Sequence, residues 1–165
     1  MSAPTPHYSE VDPDGLADNH RLAIATCVMT WAKCESNLRA LLTALEGRSL
    51  DEGAKEYDRL NPNDAWTKIK KLVREKGGST GVLDTIQSNR DACREHYDTR
   101  RIIVHAGCVG IWEEDRSVMA FSAFEHYSEG EMAIYFVPLN DLSLSSTYAE
   151  AATKLALRLL KRLGH

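Results

Sequence analysis

The hydrophobic period of this chain switches from helical to alternating at Gly107 and switches back near Asn140. That double switch limits the fold more than any other feature, because a period of 3.6 belongs to helices and a period of 2 to strands. Upstream, Ile24, Cys27, Val28, Trp31, Cys34, Leu38, Leu41, Leu42 and Leu45 recur at threes and fours and predict a long amphipathic helix from Leu16 that stops at Gly47. A short helix is expected around Asp51 to Leu60. Asn61-Pro62 then reads as a cap followed by proline at the first helical position, with Trp66, Ile69, Leu72 and Val73 on the buried side and Gly77-Gly78 as the stop. The next helix runs from about Thr80 to His105, with Gly107 expected as its left-handed terminal glycine.

Between the switches, Val109 to Trp112, Val118 to Phe124 and Met132 to Val137 read as three strands joined by turns at Glu114-Asp115-Arg116 and Ser128-Glu129-Gly130. The last helix starts at Asn140 or Asp141 and carries Tyr148, Ala152, Leu155, Leu159 and Leu163 as its stripe. The expected fold is therefore mostly α. It is an antiparallel bundle of about four long helices, with a small three-stranded β-meander inserted at about 108–138, before the last helix. Residues 1 to 16 hold four prolines or glycines among polar residues and read as a flexible N-terminal arm, which leaves 17–165 as a single domain.

With 43% hydrophobic and 27% charged residues over 165, the chain is long enough to bury a core and has the composition of a soluble globular protein. No window is apolar enough to span a membrane, and no basic segment leads an apolar one at the N-terminus, so a cytoplasmic location is expected. The four cysteines lack paired spacing, and no histidine pair has the spacing of zinc ligands on a helix. No phosphate-binding glycine loop or dinucleotide fingerprint is present, so neither a metal nor a cofactor is expected. A net charge of −4 argues against a general nucleic-acid coat but leaves room for a local basic site.

On the helix that ends at His105, Val82, Ile86, Cys93, Tyr97, Arg100 and Val104 share one stripe, the expected core face. Arg100 is the anomaly on it, since arginine is rarely buried without a partner. Glu35 flanks the apolar stripe of the first helix, and an orienting ion pair from Glu35 to Arg100 is expected because both faces point inward. The same pair also reads as an interior contact that fixes helix register. A second stripe, Arg90, Arg94, Asp98, Arg101 and His105, is polar throughout. His105 in a last turn is placed to carry a proton near neutral pH, and equally to cap exposed carbonyls. The cations of the third helix (Lys68, Lys70, Lys71, Arg74, Lys76) read as a solvated face, and Cys108 as a buried thiol.

Arg100, four residues and His105, followed by Ala106-Gly107, resemble the R-x4-H signature of HEPN domains, all-helical modules found in many prokaryotic ribonuclease toxins and immunity proteins. The run Trp31-Ala32-Lys33-Cys34-Glu35-Ser36-Asn37-Leu38 is similar to the first long helix of that family. Where the family usually has Asn, Asp or His after the arginine, this chain has Arg101. The resemblance implies metal-independent endonuclease action on RNA. His105 would act as acid or base and Arg100 would hold phosphate, with two copies pairing so that both motifs line one cleft. Arg94 and Arg101 would then attract substrate phosphates, with Asp98 positioning one of them. It also implies a toxin or defence factor held in check by a protein antitoxin or regulator. Arg101 leaves a second reading open, a catalytically silent module that binds a nucleotide, RNA or protein. A third is an interaction protein that uses the meander's edge strand.

Overall fold

A computed structural model of the protein describes residues 7–123 and 133–164. Among them a short 3-10 helix, Tyr8–Glu10, leads into strand β1 (Val11–Asp12) and helix α1 (Asp18–Glu46). Helices α2 (Leu50–Tyr57), α3 (Pro62–Glu75) and α4 (Thr80–His105) follow, then strands β2 (Gly107–Trp112), β3 (Val118–Ala123) and β4 (Ala133–Pro138), and finally α5 (Leu139–Arg162). The fold is mostly helical with one small antiparallel sheet, and none of these helices is long and apolar enough to cross a membrane. The turn expected at Ser128-Glu129-Gly130 lies outside the described residues. The chain divides into two compact units. One comprises Met1–Val28 with Asp98–Ser146, and the other Met29–Tyr97 with Thr147–His165.

The first unit holds the sheet, in the order β1-β2-β3-β4. Four strands stand where the alternation predicts three. Val11 and Asp12, assigned by composition to the flexible arm, pair with Trp112 and Ile111 on the free edge of β2. Two residues are too short to show a period, but their surroundings hold them. The Trp112 indole N–H donates to Glu10 Oε2 (3.0 Å), the Glu113 N–H donates to the Glu10 carbonyl (2.8 Å), and Arg116 lies 3.4 Å from Asp12. β3 is buried along nearly its whole length, with Met119 and Phe121 closed off from solvent, so it forms the centre of this core.

Gly110 is what lets β1 lie so close. It has φ +152° at the register shift between Cys108 and Gly110, and a Cβ there would sit 2.4 Å from the Asp12 carbonyl oxygen. Gly110→Ala should therefore displace Val11–Asp12 from the sheet and cost about 1–3 kcal/mol in strain and lost pairing. A red shift of Trp112 emission without loss of helical circular dichroism is the expected signature. Unchanged emission and melting would show that the strand can absorb a side chain.

Glu10 adds a pH dependence. The indole N–H of Trp112 and the backbone N–H of His7 both donate to its carboxylate and hold it below the ordinary value of 4.5. A lowered folded-state pKa means that this contribution is complete above the unfolded value and is lost as pH falls through the folded one. Trp112 emission should therefore change on acidification below about pH 4.5, and Glu10→Gln should remove that change.

His20 is buried and structural. Its Nδ1 accepts from the Ala17 N–H (3.1 Å) and its Nε2 donates to the Arg116 carbonyl (2.8 Å), joining the start of α1 to the β2–β3 turn.

The second unit is helical. Ser49 and Glu52 form a capping box at α2, and Asn61 caps α3 with Pro62 at its first position, as the sequence predicts. Gly53 brings α2 against α1, because a Cβ there would lie 2.0 Å from Thr43 Oγ1. The core gathers on Tyr148. Its hydroxyl accepts from the Trp66 indole (3.0 Å) and donates to the Asn89 carbonyl (2.9 Å), while its ring lies 5.5 Å from Trp31 and 5.4 Å from His96. Trp31 also meets Tyr97 edge-on at 5.8 Å. Burial, with the Cys93 and Cys34 thiols beside it, pushes the Tyr148 hydroxyl pKa upward against the smaller opposite effect of the Trp66 bond, so it stays protonated and able to donate.

Candidate functional site

The R-x4-H segment is helical and ends at His105, as expected. His105 is the last residue of α4, and the Ala106 N–H closes the final turn on the Ile102 carbonyl (2.8 Å). Gly107 is not the left-handed terminal residue. It opens β2 without positive φ, so the helix passes into the sheet through Ala106 alone. His105 thereby stands at a helix-to-strand junction and is exposed to solvent.

Arg100 is half-buried, in keeping with its place on an apolar stripe. Within the first unit its charge is near enough to lower the Cys27 thiol pKa, against the larger rise that burial imposes on that thiol. Cys27 is fully buried and donates to Ser145 Oγ (3.8 Å), so Arg100 leans toward an interior position. The stripe drawn through Val104 does not hold to its end. Val104 is 43% exposed and Ile103 is buried in its place, while Ile86 and Cys93 are buried as expected. The last two turns of α4 belong to the unit with the sheet and the earlier turns to the helical unit, so one angular stripe does not serve both cores.

Five residues apart on an ideal helix, Arg100 and His105 point about 140° away from each other. A single chain therefore offers the imidazole to solvent and turns the guanidinium inward. Arg101 is exposed, one turn from His105, and lies 3.5 Å from Asp98. That pair is solvated and contributes little to stability.

The other two predicted residues fall in the second unit. Glu35 has a side chain only 12% exposed and lies 3.8 Å from Arg39, one turn away on its own helix. Arg94 is exposed and lines a polar cavity with Arg90. Among the described residues, no group of three or more His, Cys, Asp or Glu is placed to hold a metal ion.

The cysteines carry no nucleophile. Burial raises the thiols of Cys34 to about 12 and Cys93 to about 11, and raises Cys108, which donates to the Gly110 carbonyl (3.8 Å). At neutral pH all three remain protonated and unreactive.

Compared with family models, with curated proteins and with solved structures, the chain matches none.

Proposed function

We propose that the protein is a HEPN-like, metal-independent endoribonuclease whose helices form the antiparallel bundle of that family and whose working form is a homodimer. The observation that supports this most is the junction at the end of α4, where an exposed His105 follows a half-buried Arg100 at the R-x4-H spacing. Because the two side chains diverge on one helix, a second copy related by a two-fold axis is what would bring the imidazole of one protomer and the guanidinium of the other to one phosphodiester. His105 then moves the proton of the 2′-hydroxyl or of the leaving 5′-oxygen, and Arg100 holds the phosphate oxygens through parallel hydrogen bonds. Arg94 and Arg101 supply attraction for neighbouring phosphates, and Asp98 fixes Arg101. The resemblance adds Glu35 as a supporting carboxylate. A toxin or defence role, a cytoplasmic location and a protein antitoxin belong to the same reading.

The position of Arg101 favours a second reading, a catalytically silent HEPN-like module that binds RNA, a nucleotide or a protein. A cation one turn from His105 on the exposed face repels the imidazolium that general acid catalysis requires. Expression in bacteria separates the two. Growth arrest by the wild type, relieved by His105→Ala at equal protein level, supports the nuclease. A harmless wild type that still binds RNA supports the silent module.

A further inference from the structure

The cavity that Arg94 lines is bounded by Asn61, Asn63, Thr67, Arg90 and Tyr97, has a volume of about 360 Å3, and lies wholly within the second unit. That size falls within the usual range of small-ligand sites. Arg90 and Arg94 are one turn apart on α4, so their guanidiniums leave the same side of the helix and repel each other. Among the described residues neither has an acidic partner or a side-chain hydrogen bond. Asp91 accepts from Gln87 (2.7 Å), and Asp64, which also lines the cavity, accepts from the Asn61 amide (2.5 Å). Asn63 also lines it, and its Oδ1, shielded from solvent, accepts no hydrogen bond among the described residues. Tyr97, braced edge-on by Trp31, adds an aromatic wall.

Two unpaired guanidiniums call for an anion, and planar guanidiniums suit phosphate oxygens best. The waiting amide oxygen and the Asp64 carboxylate are acceptors, so they call for hydroxyl donors on the same ligand. We propose that this cavity binds a phosphorylated ribose, with its phosphate between Arg90 and Arg94 and its sugar hydroxyls donating to the exposed Asp64 carboxylate and, once the Asn63 amide turns into the cavity, to Asn63 Oδ1. The proposal gives Arg94 a role at this cavity that does not rest on the nuclease reading.

Titration of the full chain with ribose 5-phosphate, with ribose, and with a 5′-phosphorylated tetraribonucleotide, followed by NMR or calorimetry, tests it without any cleavage readout. Saturable binding of ribose 5-phosphate is expected, with ribose at least about tenfold weaker. Binding by the tetraribonucleotide as well identifies an RNA end as the source of the group, and binding by the sugar phosphate alone identifies a free metabolite. The double variant Arg90→Gln/Arg94→Gln should lose about tenfold or more in affinity while its melting temperature holds, since neither arginine is fully buried. Asn63→Leu should weaken ribose 5-phosphate and leave inorganic phosphate binding unchanged. No binding of ribose 5-phosphate, equal binding of ribose, or undiminished binding by a folded double variant would overturn the proposal.

Discussion

Trp31→Ala should strongly destabilise the helical unit. The indole is 1% exposed and lies between Tyr97 at 5.8 Å and Tyr148 at 5.5 Å, so its removal leaves a cavity bordered by two rings that hold fixed positions. Neither neighbour can collapse freely into the space. The Tyr148 hydroxyl is bonded to Trp66 and Asn89, and moving that ring would break both bonds. Large-to-small changes of this kind cost about 3–5 kcal/mol, a large part of the roughly 5–15 kcal/mol that separates folded from unfolded domains. A drop in melting temperature of roughly 10 °C or more is expected from differential scanning calorimetry. A drop below about 3 °C would show that the aromatic cluster is loosely packed and that Tyr148 is not its fixed centre.

His105→Ala should have the opposite profile, with a large effect on rate and a small one on stability. The imidazole is exposed at the end of α4, where loss of a favourable interaction with the helix terminus costs about 0.3–1 kcal/mol. A general acid or base, in contrast, contributes about 10²- to 10⁴-fold in rate. Arg100→Lys divides the roles further. It keeps the charge beside Cys27 but loses the planar fork, so phosphate holding should suffer while the interior electrostatics stay in place. An arginine that served only to fix helix register would tolerate lysine with little change in cleavage.

Local chemistry made much of the fold legible. The Asn61-Pro62 start, the Thr80 to His105 span and the Gly47 and Gly77 stops all follow from caps, proline and glycine acting within one turn. Where the sequence misleads, the deciding contact comes from far along the chain. Gly107 looks like a helix terminator because it follows His105, yet the backbone constraint falls on Gly110, where β1 approaches from nearly a hundred residues away. Val104 sits directly above Ile86 on an ideal helix and is nonetheless exposed, because the last turns of α4 pack in a different core. The sequence picked out the polar stripe through Arg90 and Arg94 but not the cavity it lines. Asn61 and Asn63 reach that cavity from another helix, and spacing along one helix carries no information about them. The Glu35 to Arg39 contact follows from spacing alone, one helical turn apart.

The account stands or falls on whether the histidine at the end of α4 performs chemistry. The direct measurement is the rate at which purified full-length protein cleaves a labelled RNA in the presence of EDTA, for wild type and His105→Ala side by side with their melting curves. The account predicts cleavage by the wild type, a loss of about a hundredfold or more in the variant, and melting temperatures within about 2 °C of each other. Equal cleavage by both proteins, or none by a folded wild type that arrests growth, would contradict it.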